Sequence, residues 1–153
     1  MEINPADAIK TVVRPKIHVT LERDGVPELR LKFTDEFVIG GYTDSTAMKE
    51  AIGALLLGYF ENGAFVYAGR VGTGFSHATA HLLWRELQGL RRARSSFAQR
   101  LTADQVRNAS WVKPELVAQI EYRSWTADKL VRHATFRALR EDKPASEIGP
   151  PDV

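Results

Sequence analysis

The chain contains no cysteine among its 153 residues. Disulfide bonds, thiolate metal sites and cysteine nucleophiles are therefore excluded, and the absence fits the reducing cytoplasm. No apolar run approaches the ~18 residues that a membrane-spanning helix needs. The N-terminal stretch MEINPADAIK carries acids and no apolar core, unlike a secretory signal. We therefore expect a cytoplasmic protein that makes no membrane contact.

Motifs of the common enzyme sites are also absent. There is no G-x-S-x-G turn for a serine nucleophile and no P-loop for a nucleoside triphosphate. His77 and His81 stand four apart on a predicted helix, but two imidazoles with no neighbouring acid are too few for a closed metal site. Gly72-Thr73-Gly74 is better explained by a tight turn than by phosphate contact. We expect no metal site in this chain.

Charge is distributed unevenly along the chain. The first 69 residues hold 7 Lys and Arg against 10 Asp and Glu, whereas residues 70–143 hold 14 against 7. The length and the 44% hydrophobic content are those of one globular domain with a packed core. A basic second half favours a polyanionic partner on one face. The alternative is an Arg-rich surface that is merely solvated.

Alternating apolar and polar residues predict strands in the first part of the chain. The period of two covers residues 16–22 and again 29–34, and the turn signal Asp24-Gly25 between them predicts a hairpin. Another strand is expected to begin at Phe37.

A second hairpin and one helix are predicted next. The apolar stretch 51–60, typical of a strand buried on both faces, is followed by Asn62-Gly63 and a return strand over 64–71. Ser76 is a candidate helix N-cap. Apolar residues then recur at spacings of three and four, as in an amphipathic helix: Ala80, Leu83, Trp84, Leu87 and Leu90.

The remaining segments complete a mainly β fold with inserted helices. Residues 91–100 lack periodicity and are expected to form a loop, and Thr102 is expected to cap a short helix through Asn108. A last alternating stretch covers 116–122, and the proline-rich tail 144–153 is expected to be disordered. About five short strands with a helix after the central hairpin favour a small barrel, because closure removes exposed strand edges.

Two charged clusters are candidates for binding anions. Residues 136–143 (FRALREDK) place charged side chains after an apolar anchor, which fits either a triphosphate-binding cluster or a frayed chain end. The second cluster comprises Arg91, Arg92, Arg94, Arg100 and Arg107, opposed only by Asp104. Arginine forks suit phosphate oxygens, so this cluster fits a phosphate-binding surface, although a mobile solvated loop explains it equally.

Several stretches, in order along the chain, resemble the C-terminal part of the ligase domain in bacterial multifunctional end-joining DNA ligases, the ligase D type. The resemblance extends from about residue 29 to residue 143. Its stretches are 36–43 (EFVIGGYT), 54–59 (ALLLGY), 67–75 (YAGRVGTGF), and 111–117 (WVKPELV) through 139–143 (LREDK).

The resemblance implies an OB fold, a five-stranded Greek-key barrel with one substantial helix. Ligases of this family attack ATP with a lysine, pass AMP to a DNA 5′-phosphate and seal the nick with the 3′-hydroxyl, while Mg²⁺ neutralises phosphate charge. Their motif VI, R-x-D-K, matches Arg140, Asp142 and Lys143. By resemblance, motif VI orients the leaving pyrophosphate, and another face then lies on DNA. Arg70 and the arginine cluster above are the residues expected there.

The sequence departs from the family pattern in its first part. The adenylylated lysine belongs to a K-x-D-G motif that is absent here, since the similar tetrapeptide ERDG begins with Glu22. The tetrapeptide LRLK resembles motif V, which implies phosphate contacts by Arg30 and Lys32, with a plain strand surface as the alternative. Residues 1–28 do not match the family and are expected to form an arm and an extra strand.

We therefore expect an OB-fold module of a ligase that repairs nicked or broken duplex DNA by non-homologous end joining, near the bacterial nucleoid. ATP and Mg²⁺ would be bound through a nucleotidyltransferase domain, in cis or in trans, and not by this chain alone. Two alternatives stay open. One is a stand-alone DNA-binding OB module without ligase chemistry. The other is a docking domain for a Ku-like end-joining partner.

Overall fold

The computed structural model describes residues 16–21 and 27–151, with side chains from residue 32 onward. Its first two strands are β1 (Lys16–Leu21) and β2 (Pro27–Asp44), which pair antiparallel. The predicted first hairpin is therefore confirmed. Its turn signal, Asp24-Gly25, lies outside the described residues.

Strand β2 is one continuous strand of 18 residues, so the predicted break before Phe37 was wrong. The polar residues 34–36 continue the strand because their backbone pairs in register with β7 (Val117–Tyr122), where Glu36 lies opposite Gln119. Pairing satisfies the backbone N–H and C=O groups whatever the side chains are. This pairing positions Glu36 for the site described below.

The second hairpin forms as predicted. Strands β3 (Ile52–Glu61) and β4 (Ala64–Val71) are joined by Asn62 and Gly63, which have φ of 52° and 80°. Two consecutive positive φ angles are the signature of the tight hairpin turn that matches strand twist. Leu55, Leu56 and Leu57 are all fully buried, as expected for a strand covered on both faces.

Helix α1 (His77–Gln88) follows β4 as predicted. The Ser76 hydroxyl accepts a hydrogen bond of 3.1 Å from the Thr79 amide, which satisfies a donor that the first turn leaves unpaired. Leu83 and Leu87 are fully buried on the face that packs against the sheet. The helix thereby covers one side of the barrel.

The segment after the helix contains two departures from prediction. Residues 91–100 are mostly irregular, but Arg91–Arg92 form a short strand, β5, paired with β6 (Ala109–Val112). The predicted helix from Thr102 is wrong, because residues 103–108 form turns. The capping contact is present, with Thr102 and Gln105 exchanging hydrogen bonds of 2.9 and 3.2 Å. The Val106 amide donates to the Thr102 carbonyl four residues back, but the Arg107 and Ala109 amides donate to carbonyls three residues back, so no regular helix continues.

The short strands β8 (Ser124–Trp125) and β9 (Val131–Arg132) form a separate hairpin, which leads into β10 (Thr135–Leu139). The main antiparallel sheet has the order β10-β7-β2-β3-β4. Its two ends meet where the Phe136 amide donates to the Thr73 carbonyl at 2.9 Å. The described residues thus form a mainly β barrel with one α-helix, in agreement with the expected OB fold.

The segment after β10 packs on the barrel, so the predicted disordered tail was wrong for residues 144–151. It contains a 3-10 turn, Ala145–Glu147, and Ile148 is only 7% exposed. The Phe60 amide donates to the Ile148 carbonyl at 2.8 Å. An apolar side chain and a backbone partner together outweigh the effect of the flanking prolines.

Among the described helices, none is long and apolar enough to cross a membrane.

Candidate functional site

Arg140 directly follows β10 and is held in one orientation by two carboxylates. Its amide donates to the Val117 carbonyl at 2.8 Å, which keeps the chain beside β7. The guanidinium binds Asp142 through two parallel hydrogen bonds, Nε–Oδ1 at 3.0 Å and Nη2–Oδ2 at 2.9 Å. Nη1 donates to Glu36 Oε1 at 2.9 Å. Three of the five N–H donors of arginine are therefore used, and two remain among the described contacts.

Lys143 joins the same cluster. Its Nζ lies 3.2 Å from Glu36 Oε1, the oxygen that also accepts from Arg140. The Glu36 side chain is 18% exposed, whereas the Lys143 side chain is 42% exposed to solvent. A depression of about 170 Å³ lies beside them, lined by Glu115, Leu116, Val117, Leu139, Arg140, Glu141 and Lys143.

The ion pairs change the proton affinities of the cluster. The hydrogen bonds from Arg140 lower the pKa of Asp142 to about 2, with a further contribution from Lys143. The hydrogen bond to Asp142, aided by charge attraction from both carboxylates, raises the pKa of Arg140. Asp142 therefore remains an anion, and Arg140 a cation, throughout the neutral range.

A second carboxylate-centred cluster lies on the same outer face of the sheet. Lys32 Nζ is 3.5 Å from Glu121 Oε1, and Arg137 Nε is 3.9 Å from Glu121 Oε2. Residues 32 and 36 share a strand face because side chains alternate along β2. The structure thus places Lys32, a candidate phosphate contact, on the face that carries Glu36. The Arg30 side chain lies outside the described residues.

The arginine-rich segment 91–100 is anchored to the barrel rather than free in solvent. Phe97 is 7% exposed and stacks on Phe65 with ring centroids 4.6 Å apart. It lies directly over Gly40, where an added Cβ would come within 2.5 Å of the Phe97 ring. The Ala98 amide donates to the Phe65 carbonyl at 2.8 Å. The segment therefore presents its cations on a fixed support.

The predicted DNA-contacting arginines fall into two groups. Arg91, Arg94 and Arg100 are exposed, as are Arg92, which donates to the Ser96 hydroxyl at 2.7 Å, and Arg107, which pairs with Asp104. Arg70 differs, because its Nη2 donates to the carbonyls of Gln105 and Arg107 at 2.9 and 3.2 Å. Its guanidinium supports the 103–108 turn, so it positions the surface beside the other five.

The two histidines of helix α1, His77 and His81, have separate surroundings. The His81 ring Nδ1 lies 2.8 Å from the Glu50 carbonyl, and His77 is exposed. Among the described residues, no group of three or more His, Cys, Asp or Glu is placed to hold a metal ion.

Sequence reasoning missed two residues that organise these surfaces, Glu36 and Phe97. Glu36 stands 104 residues before Arg140 in the chain, so only strand pairing brings them together. One signal for Phe97 was available: it is an isolated aromatic residue in a basic segment, opposite the glycine-rich stretch 40–41 that leaves space for a ring.

A family model described as the ATP dependent DNA ligase C terminal region matches residues 48–143. The multifunctional non-homologous end joining protein LigD of Pseudomonas aeruginosa is 36% identical over 135 residues, covering 82% of this chain and 16% of that protein. The multifunctional non-homologous end joining DNA repair protein LigD of Mycobacterium tuberculosis is 37% identical over 116 residues, covering 75% and 15%. The chain thus spans about a sixth of the length of these curated relatives.

Solved structures agree with the sequence comparison. The crystal structure of the ligase domain from M. tuberculosis LigD superposes with a TM-score of 0.74 at 36% identity, covering 80% of this chain and 40% of that one. A mycobacterial DNA ligase D complexed with ATP and MES gives a TM-score of 0.70 at 35% identity, covering 82% and 40%. The chain belongs to the family of ATP-dependent DNA ligase C-terminal regions, and within it to the LigD end-joining type.

Proposed function

We propose that this chain supplies motif VI, formed by Arg140, Asp142 and Lys143, to the lysine adenylylation step of a LigD-type ligase in non-homologous end joining. The observation that carries the proposal is the geometry of Arg140. Asp142 holds its guanidinium bidentately, while two of its donors remain for a ligand. A cation fixed in advance stabilises developing charge without reorganising.

ATP and Mg²⁺ would be bound by the nucleotidyltransferase domain, which also carries the attacking lysine. When the lysine displaces pyrophosphate, negative charge grows on the leaving phosphate oxygens. Arg140 and Lys143 would lie against those oxygens, with Lys143 contributing a more exposed and adjustable charge. Lys32, on the same sheet face, could reach another phosphate oxygen.

The test combines this chain with the nucleotidyltransferase domain of a LigD relative and measures transfer of labelled AMP to the catalytic lysine. Arg140→Ala and Lys143→Ala are each expected to slow the transfer about 100-fold, the loss typical of removing one preorganised charge donor. Arg137→Ala is the matched control, because Arg137 is an exposed arginine within β10, three residues before Arg140, and pairs with Glu121. Normal transfer by both motif VI variants would refute the proposed role.

We also propose that the arginines of segment 91–100, with Arg107, contact the phosphates of nicked or broken duplex DNA. Two observations support this proposal. The arginines are exposed, and Phe97 fixes segment 91–100 to the barrel. A fixed array of cations loses little conformational entropy on binding a polyanion. A stand-alone DNA-binding module would need only this surface, so it remains the second candidate function.

DNA binding is tested by titrating the chain with a nicked duplex at several salt concentrations. The logarithm of the affinity should fall linearly with the logarithm of salt, by about 0.9 per phosphate contact. Replacing Arg91, Arg92 and Arg94 together by Ala should weaken binding and lower the slope by about 2 to 3. A triple variant with the wild-type slope would show that DNA lies elsewhere.

A further inference from the structure

Glu36 holds both cations of motif VI through a single atom. Its Oε1 lies 2.9 Å from Arg140 Nη1 and 3.2 Å from Lys143 Nζ. No part of the R-x-D-K motif includes this residue, which stands on β2. A shared anionic oxygen between an arginine and a lysine has the same chemistry as a phosphate oxygen bound by both.

The partners of Glu36 differ in how firmly they are fixed. Glu36 itself belongs to a central strand, with its backbone paired to β7 opposite Gln119. Arg140 keeps both of its hydrogen bonds to Asp142 independently of Glu36. Glu36 is the acid with which Lys143 forms an ion pair among the described residues, and Lys143 lies beyond the end of β10. Loss of the Glu36 charge would therefore release Lys143 and leave Arg140 oriented.

We propose that Glu36 is a positioning residue that docks motif VI on the barrel while no nucleotide is bound, and that the pyrophosphate group displaces it from Lys143 and Arg140. The inference rests on the proposed function of motif VI. It adds that Glu36 and pyrophosphate compete for the same two cations. In the unliganded module, attraction to the carboxylate offsets the repulsion between the two cations, and competition from the carboxylate weakens the binding of the phosphate that replaces it.

The test is a titration of this chain with inorganic pyrophosphate, followed by the NMR amide signals of residues 139–143. Glu36→Gln keeps the shape of the side chain and removes its charge. It is expected to bind pyrophosphate about fivefold more tightly, the gain from releasing two partly exposed ion pairs. Glu36→Asp keeps the charge and should stay close to wild type. A gain in affinity is not expected from a residue that only stabilises the fold.

The matched control is Glu141→Gln. Glu141 is an exposed acid that lines the same depression as Arg140 and Lys143 but pairs with neither of them among the described contacts, so its replacement removes a nearby charge without releasing a cation. If the two glutamine variants bind pyrophosphate equally, the effect is one of general charge and the proposal is overturned. Unchanged affinity in Glu36→Gln, with thermal unfolding showing a folded protein, overturns it as well.

The same titration separates this inference from the proposed function. Arg140→Ala is expected to weaken pyrophosphate binding about tenfold or more, because it removes a fixed cation with two donors left over from its described contacts. If pyrophosphate leaves the signals of the wild-type chain unmoved, the competition by Glu36 is refuted, while the role of motif VI is decided separately by the adenylylation assay with the nucleotidyltransferase domain. If wild type responds and Glu36→Gln matches it, only the competition fails.

Discussion

Arg140 and Asp142 form the most constrained pair of charged residues in the candidate site. Two parallel hydrogen bonds fix the plane of the guanidinium, and they also lower the pKa of Asp142 from its ordinary value of 3.8 to about 2. Bidentate pairs of this kind are among the stronger hydrogen-bonded contacts available to a surface arginine. The orientation of Arg140 should therefore persist at any pH at which a ligase operates.

The pH dependence of this pair follows from the direction of the shift. Because the pKa of Asp142 is lower in the folded chain than in the unfolded one, the stabilisation by the pair is fully present above about pH 4 and is lost as the pH falls toward 2. An NMR titration of the Asp142 carboxyl carbon should give a midpoint near 2. In Arg140→Ala the midpoint should return toward 3.8. A wild-type midpoint near the ordinary value would contradict the geometry.

Tyr122 is a buried tyrosine whose hydroxyl has no hydrogen-bond partner in the described part of the chain. Burial, with the nearby charge of Asp35, raises its pKa. We expect Tyr122→Phe to leave the free energy of unfolding unchanged or to raise it by up to about 1 kcal/mol, since an unsatisfied polar group is removed. Tyr42→Phe is the control, because the Tyr42 hydroxyl accepts a 3.0 Å hydrogen bond from Gln88. Tyr42→Phe should lower the free energy of unfolding by about 1 kcal/mol. Urea unfolding of both variants measures the difference, and a larger loss in Tyr122→Phe would show an unseen partner.

At the scale of the elements, closure of the barrel depends on the turn that follows β4. Gly74 has φ of +94°, and a Cβ at this position would lie 2.3 Å from the Phe136 carbonyl oxygen. A side chain here would therefore push β10 away from the end of β4, and Arg140 directly follows β10.

Gly74→Ala is expected to lower the free energy of unfolding by about 3 kcal/mol, through backbone strain and the clash together. Gly89→Ala provides the comparison, since Gly89 has φ of −70° and no atom within 4 Å of its added Cβ. It should be neutral or slightly stabilising, because alanine loses less backbone entropy on folding. Equal unfolding free energies for the two variants, measured in urea, would argue against closure at Gly74.

The elements also show what the sequence could and could not predict. The hairpin at Asn62-Gly63 and the helix from Ser76 were predictable because local residues determine them, through turn geometry and capping. The continuity of β2 and the anchoring of Phe97 were not, because each depends on a partner strand far away in sequence. Arg140, Asp142 and Lys143 were proposed from the family resemblance, whereas their neighbour Glu36 could be identified only from the sheet register.

At the scale of the whole molecule, the barrel has two charged surfaces, and both contact strand β2. Arg140 and Lys143 pair with Glu36 on β2, and the arginine-rich segment is anchored over Gly40, four residues further along β2. In the proposed function, the barrel would present the first surface to a nucleotide and the second to DNA. In the proposed function the two surfaces act in different steps, so their defects should separate.

The most direct test measures lysine adenylylation and nick sealing in the same mixture of this chain with a LigD nucleotidyltransferase domain. We predict that Arg140→Ala slows formation of the lysine adenylate about 100-fold. The triple replacement of Arg91, Arg92 and Arg94 by Ala should form the adenylate at the wild-type rate but fail to seal the nick. Adenylate formation at the wild-type rate by Arg140→Ala would contradict the account, because motif VI would then have no role in the step assigned to it.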